Sequence, residues 1–159
     1  MTARRPPELG LLFDLLRAGE GLGAMLRTAL ASSGLTPTGY AVTSLVDALG
    51  SMTPSEAAEM IGTKPSTLSA HLAKLVRDGI LSRTPGTDGR SVDLRLTDEG
   101  RRVHAAAVRA VRRVWRPVSQ DLDVEQARAV LAEVIGALEA GAALPDRGGR
   151  KGPRARDRR

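Results

Sequence analysis

The chain contains no cysteine and only three aromatic residues, Phe13, Tyr40 and Trp115, among its 159 residues. Without cysteine it has no disulfide, no thiolate metal site and no thiolate redox sensor. With so few rings, its core must be aliphatic. Its two histidines, His71 and His104, come without a phosphate-binding loop or a nucleophile motif. The sequence therefore predicts neither an enzyme nor a bound cofactor or metal.

Long apolar runs are also absent. No run approaches the roughly 20 residues that a transmembrane helix needs, and the polar N-terminus does not resemble a secretory signal. We therefore expect a cytoplasmic, nucleoid-associated protein without a membrane partner. Length and composition predict a single domain over residues 1–144. Residues 145–159 carry a net charge of +5 and are rich in Gly, Pro and Arg, which is typical of a disordered basic tail.

The stretch from Met52 to Thr97 organises the rest of the chain. Thr53-Pro54-Ser55-Glu56 predicts a helix start, with a Thr N-cap, Pro at the first helical position and Glu three residues after the cap. This first helix should end at Gly62 and has an apolar side made of Ala57, Ala58, Met60 and Ile61.

A second helix should follow the short Gly62–Lys64 connection and run from Pro65 to Asp78, with Gly79 ending it. Two helices joined by a tight turn containing Gly are the signature of a helix-turn-helix. At about 100° per residue, Leu68, Leu72 and Leu75 share one stripe. The opposite face is polar and cationic, which suits a DNA major groove, although an ordinary solvated face has the same composition. His71 lies at the edge of the apolar stripe, where it should pack rather than bind.

Two strands are predicted next, Ile80–Arg83 and Ser91–Leu96. In the second strand Val92, Leu94 and Leu96 alternate with polar residues, so these three should be buried. Between the strands lies a turn-rich tip containing Arg90, and an Arg projecting from such a tip can enter a minor groove. A solvated hairpin with a surface ion pair is the alternative. The candidate DNA-contacting residues are Lys64, Ser66, Thr67, Ser69, Ala70, Lys74, Arg77, Arg83, Asp88 and Arg90.

These residues carry a resemblance to a known family. Asp88-Gly89-Arg90, the alternating residues up to Leu96-Thr97 and the following Asp98-Glu99-Gly100 resemble the wing and next helix start of the MarR family of bacterial transcriptional regulators. Pro65–Leu68 and Leu75–Leu81 are similar to the family's recognition helix. The resemblance extends over about residues 9–144. It implies a mainly α fold with a small β-hairpin wing. In this fold a winged helix-turn-helix over about residues 36–97 lies, along the chain, between dimerisation helices at about residues 8–33 and 98–144.

The resemblance also implies a function. Such proteins are homodimers that bind a pseudo-palindromic operator in double-stranded DNA, and repression relieved by a small aromatic or phenolic effector is the default. The chain departs from the family at Lys64, where a capping Ser is common, and at Ala70 and His71, where many members have an Arg. A winged helix that mediates protein interaction and no longer binds DNA is the alternative. The +3 charge of residues 63–103 and the presence of Arg90 argue against it.

Helices are expected on both sides of this module. The first should run from Glu8 to Ser33 and bend at its glycines, and a second from Thr36 to about Gly50 should direct Tyr40, Val42, Leu45 and Leu49 inward. After the wing, Thr97 should cap a long helix reaching about Leu122, kinked at Pro117. The last helix should start at Asp123 and end near Gly141.

These flanking helices have more apolar surface than the small module can cover, which predicts a dimer. The candidate interface residues are Leu12, Leu16, Val118, Leu131, Val134, Ile135 and Leu138. The effector implied by the resemblance would bind between dimer helices and winged module. Phe13, Tyr40 and Trp115 lie on the relevant helices and are pocket candidates, although aromatics on a helix face are more often core residues.

Overall fold

The computed structural model describes residues 10–86 and 91–142. Its elements are α1 (Leu11–Leu30), α2 (Pro37–Leu49), α3 (Pro54–Ile61), α4 (Pro65–Arg77), β1 (Leu81–Pro85), β2 (Val92–Leu96), α5 (Asp98–Ser119) and α6 (Val124–Ala142). The fold is thus mainly helical with one antiparallel hairpin, the winged helix-turn-helix that the sequence predicts. The chain forms two compact units, one up to Pro117 and one from Val118 onwards. Among the described residues no helix has the length and apolar character of a membrane span.

The predicted starts of α2 and α3 are confirmed by their capping bonds. The Thr53 hydroxyl accepts the Glu56 N–H at 3.2 Å, while the Glu56 carboxylate accepts the Thr53 N–H at 2.7 Å. These bonds, first from the Thr53 backbone and then from its hydroxyl, lower the pKa of Glu56. Thr36 caps α2 through the Gly39 N–H at 3.0 Å. Local sequence therefore sets where these helices begin.

The core of the first unit is aliphatic, as expected. Leu68, Leu72 and Leu75 of α4 are buried and contact residues from α2, α3 and the hairpin. The other buried hydrophobic residues of this cluster are Leu30, Leu35, Val42, Val46, Met52, Ala57, Ala58, Ile80, Leu81, Leu94, Leu96 and Ala107. The predicted stripe of α4 is therefore the side that holds this helix in the fold.

Three residues predicted to face inward are exposed instead. Met60 is 57% exposed, since it lies about 100° around α3 from the centre of the buried Ala57, Ala58 and Ile61 face. Leu49 is 53% exposed because it is the last residue of α2, just before the Gly50 cap. Val92 is 42% exposed because it pairs with Pro85 at the far end of the hairpin, beyond the core that buries Leu94.

The hairpin pairs Leu81 with Leu96 and Pro85 with Val92. Met52 forms an additional bridge with Leu94 that the sequence did not predict, through bonds of 3.3 and 2.8 Å. Beyond the last pair, the Gly86 N–H donates to the Ser91 carbonyl at 2.9 Å. Asp88 and Arg90 lie outside the described residues.

Candidate nucleic-acid interface

The connection between α3 and α4 is fixed by backbone bonds. Gly62 adopts a left-handed conformation, with φ of 73°, that favours glycine. Its N–H donates to the Glu59 carbonyl and the Thr63 N–H donates to the Ala58 carbonyl, both at 2.9 Å. This pair of bonds is a Schellman motif, and it sets the direction in which α4 leaves the turn.

The other end of α4 is fixed in the same way. Gly79 has a φ of 70°, and its N–H donates to the Val76 carbonyl at 3.1 Å. The Ile80 N–H donates to the Leu75 carbonyl at 2.9 Å. With both ends closed and its leucines buried, α4 is a rigid element that presents one face outward.

The outward face of α4 contains the residues predicted to contact DNA. Exposed there are Lys64, Ser66, Thr67, Ser69, Ala70, Lys74 and Arg77, and Arg83 is exposed on β1. His71 is half-buried at the boundary, as predicted. An exposed face of small, hydroxyl-bearing and cationic side chains on a rigid helix has the chemistry and dimensions for a major groove.

The hydroxyls on this face differ in availability. Ser69 donates to the Ser66 carbonyl at 2.8 Å within the helix. Within the part of the chain that the structure describes, the Ser66 and Thr67 hydroxyls make no hydrogen bond. These two hydroxyls are therefore the ones free to bond to base edges or phosphates.

The cations of this face also differ. Lys74 forms an ion pair with Asp78 one turn later, which reduces its attraction for phosphate. Arg77 has no ion pair among the described residues. Lys64 precedes the first turn of α4 without a side-chain capping bond, as its departure from the family's Ser implies. The side chain of Lys64 therefore caps none of the backbone N–H groups in the first turn of α4, and the positive end of the helix dipole is open to an anion.

The start of α5 contacts the residues that directly follow α4. The Thr97 hydroxyl donates to the Gly79 carbonyl at 2.6 Å and accepts the Gly100 N–H at 2.9 Å. A Cβ on Gly100 would lie 2.0 Å from the Ile80 carbonyl oxygen, so only glycine fits there. The first turn of α5 therefore packs directly against the residues that follow α4.

A buried histidine connects α5 to α2, and sequence reasoning missed it. His104 Nδ1 lies 3.2 Å from the Thr43 hydroxyl, which itself lies 3.0 Å from the carbonyls of Gly39 and Tyr40. Since that hydroxyl donates to a carbonyl, it accepts from an Nδ1–H. The signal in the sequence was the spacing of His104 three residues before Ala107, on the same helix face.

The tautomer inferred from these bonds leaves Nε2 of His104 unprotonated. It lies 3.7 Å from the Asp47 carboxylate, and the imidazole stacks on Tyr40 with centroids 5.9 Å apart. Burial lowers the pKa of His104, and the smaller opposing effect of Asp47 raises it. The native protein therefore favours a neutral imidazole at this position.

This pKa predicts a loss of stability in mild acid. The imidazole of an unfolded His titrates at about pH 6.5. Because the pKa of native His104 is lower, the unfolded chain binds more protons than the native protein as the pH falls below that value. The free energy of unfolding should therefore fall as pH drops from about 6.5 towards the lower native pKa of His104, and this contribution should be fully present only above about pH 6.5. Urea unfolding of the wild type between about pH 5 and pH 8 measures this slope.

The two histidines provide matched variants for this measurement. His104→Gln should be less stable at neutral pH but have a flatter pH dependence, and His71→Gln, which removes a histidine outside this network, is the control. Equal slopes in all three proteins would exclude His104 as the cause.

The three aromatic residues predicted to line an effector pocket do not contact one another. Tyr40 packs against the core and His104. Phe13 is half-buried on α1, with the Arg17 guanidinium 6.0 Å from its ring centroid. Trp115 is 38% exposed on α5. Core packing accounts for the position of Tyr40 without a ligand. That these three residues line an effector pocket stays a prediction.

The residues predicted to form the dimer interface are mostly exposed. On α1, Leu12 and Leu16 are 70% and 61% exposed. In the second unit Val118, Leu131, Ile135 and Leu138 are each at least half exposed, and Val134 is half-buried. Apolar side chains are thus exposed in rows along both helices, and the dimer interface stays a prediction for these residues.

The recognition helix, its rigid turn and the hairpin define the protein as a winged helix-turn-helix DNA-binding protein. The MarR family model matches residues 35–92. The chain is 31% identical to the transcriptional regulator MosR of M. tuberculosis, solved in complex with DNA, with a TM-score of 0.74 over 85% of this chain and 99% of MosR. The protein belongs to the MarR family.

Two further structures agree with this assignment. The chain is 27% identical to CouR, a transcriptional repressor solved on a 23-mer DNA duplex, with a TM-score of 0.73 over 86% of this chain and 99% of CouR. MarR of E. coli is 19% identical, with a TM-score of 0.64 over 82% and 97% of the two chains, and shows the fold alone. No match was found among curated protein sequences. The protein is therefore a DNA-binding transcriptional regulator.

Proposed function

We propose that the protein is a homodimeric cytoplasmic repressor that binds a pseudo-palindromic operator and leaves it when a small aromatic or phenolic effector binds. The observation that carries this proposal is the rigid α4 with its exposed polar and cationic face. The free hydroxyls of Ser66 and Thr67 would meet base edges, while Lys64 and Arg77 would meet phosphates. Arg83 and the wing residues Asp88 and Arg90 would follow the adjacent groove.

Dimerisation is supported by the exposed leucines of α1 and the exposed α6 face. An isolated winged module reads only one half-site, and a two-fold dimer places two modules about one helical turn apart. In this proposal residues 36–97 read DNA, the flanking helices hold the two copies together, and residues 145–159 add a basic tail.

Release by an effector is supported by the contact between α5 and α4. In this proposal, a shift of α5 would reach the recognition helix through the contacts of Thr97 and Gly100 with Gly79 and Ile80. A ligand bound among the helices that carry Phe13, Tyr40 and Trp115 would act through these contacts between the start of α5 and the residues that follow α4. Repression, rather than activation, is supported by the similarity to CouR, which is a transcriptional repressor.

The test is operator binding by the wild type and an Arg90→Ala variant. Fluorescence anisotropy on fragments from upstream of the gene and its neighbours, against scrambled duplexes at one salt concentration, should identify a specific site. Arg90→Ala should weaken that site at least about tenfold, since a lost contact to a charged group costs about 1.5–3 kcal/mol and about 1.4 kcal/mol is tenfold. Sedimentation should show an unchanged dimer.

Arg109→Ala is the matched control, because it removes the same charge from an exposed position on α5. It should retain nearly all of the wild-type affinity. Equal affinity of Arg90→Ala and the wild type would remove the wing from the mechanism. Equal binding of every duplex, operator and scrambled alike, would overturn sequence-specific regulation in favour of an interaction module.

A further inference from the structure

A polar cavity of about 400 Å³ lies within the first unit, where the end of α2, the hairpin and the start of α5 come together. Its walls are the last turn of α2, the hairpin residues Ser82, Arg95 and Leu96, and the first turn of α5. Val46 and Leu96 form its apolar floor, and Asp47, Ser82, Arg95 and Arg101 bring polar groups to its sides. This volume is within the range of small-molecule sites.

Opposite charges line this cavity without meeting. Asp47 lies on the α2 side, and Arg95 and Arg101 lie on the strand and α5 side. None of the ion pairs of the described residues joins Asp47 to either arginine within 4.0 Å. The carboxylate of Asp47 and the two guanidinium groups therefore line the same cavity more than 4.0 Å apart.

The two arginines are already positioned. Arg101 donates to the Leu96 carbonyl at 3.1 Å and to the Asp98 carboxylate at 2.6 Å. A guanidinium has five N–H donors, so Arg101 retains donors for a ligand. Arg95 lies 3.8 Å from Asp93. These contacts restrain both side chains, so a ligand loses less side-chain entropy on binding, although Asp98 and Asp93 also reduce the attraction of the two arginines for its carboxylate.

We propose that this cavity binds a small zwitterion, an amino acid or a related amino carboxylate. Its carboxylate pairs with Arg101 and Arg95, and its ammonium group pairs with Asp47. A simple carboxylate would leave Asp47 unpaired beside it, and a simple amine would face two cations. The C-terminal end of α2, at Gly50, adds partial negative charge on the Asp47 side. This proposal stands whether or not the α4 face binds DNA.

The position of Asp47 connects the cavity to the protein interior. Its carboxylate faces the cavity and also lies 3.7 Å from Nε2 of buried His104. A cation bound at Asp47 reduces the negative field at that imidazole. The same ligand joins α2, the hairpin and α5, so His104 reports occupancy of the cavity.

The probes are ω-amino acids of increasing charge separation, from glycine through β-alanine and γ-aminobutyrate to ε-aminocaproate. Caproate and hexylamine are single-charge controls of matched length. Calorimetry and the NMR signals of the His104 ring are recorded with each on the full chain. At least one ω-amino acid should bind saturably below about 10 mM and shift the His104 signals, and both controls should bind at least tenfold more weakly.

Asp47→Asn is the principal variant, since it removes the charge while keeping the shape, and it should weaken binding at least tenfold. Arg101→Gln should do the same, with circular dichroism verifying its fold. Asp14→Asn, at an exposed acid in the first turn of α1, should bind as the wild type does. No binding by any probe, equal binding of caproate, or full binding by Asp47→Asn would each overturn the proposal.

Discussion

Replacing Leu131 and Ile135 together by glutamate is expected to abolish both the dimer and operator binding. The two residues lie one turn apart on α6 and are 50% and 53% exposed in the single chain. If a second copy covers them, the new carboxylates would be buried without partners, which costs several kcal/mol for each charge. Sedimentation should then show monomer or unfolded chain, and anisotropy should show no specific complex.

The matched control places the same two charges on the other side of α6. Ala129 and Ala140 are exposed and lie roughly opposite the Leu131 stripe at about 100° per residue. Ala129→Glu with Ala140→Glu should leave a dimer that binds the operator. Circular dichroism distinguishes a folded monomer from an unfolded chain. A stable, DNA-competent dimer of the Leu131, Ile135 variant would place the interface elsewhere.

The sequence predicts the local parts of this fold because their causes are local. The Thr53 to Glu56 capping box, the buried leucines of α4 and the glycine ends of its turns depend on residues within a few positions of each other. Caps and periodicity specify such features almost independently of the rest of the chain. The errors at Met60 and Leu49 occur where helix rotation or a helix end decides exposure.

Contacts between distant residues could not be predicted in this way. The bond between His104 and Thr43 joins residues 61 positions apart, and the Met52–Leu94 bridge joins a loop to a strand. The close approach of Gly100 to the Ile80 carbonyl also depends on how α5 packs. Each requires knowledge of which elements are neighbours, and a single sequence with its local periodicity does not contain it.

The candidate DNA-binding face was predictable for the same reason as the helix that carries it. Once Leu68, Leu72 and Leu75 define the buried side, the opposite side follows from the helical period. The helical period does not predict which of these side chains are free to bind DNA. The ion pair of Lys74 with Asp78 and the hydrogen bond of Ser69 within its own helix depend on side-chain geometry. Among the described residues, those details leave the Ser66 and Thr67 hydroxyls and the Lys64 and Arg77 cations as the free groups of this face.

A glutamate at Ala70 is expected to weaken operator binding by at least about 100-fold while leaving the fold intact. Ala70 lies in the middle of the exposed face, between Ser66 and Lys74 one turn away on each side. The change buries nothing in the free protein, and Glu is a good helix former, so stability should change little. Against DNA the carboxylate meets phosphates and acceptor-rich base edges, and like-charge contact costs several kcal/mol, with about 1.4 kcal/mol for each tenfold.

Ala105→Glu is the control for this variant. Ala105 is an exposed alanine in a helix, on α5, so the change in residue type and net charge is the same. Anisotropy at one salt concentration should show that Ala105→Glu retains most of the wild-type affinity, because only the long-range effect of one charge remains. Thermal unfolding should give similar midpoints for all three proteins. If the two glutamate variants bound the operator equally well, α4 would not lie in the groove, and the residues reading DNA would have to be sought on another surface.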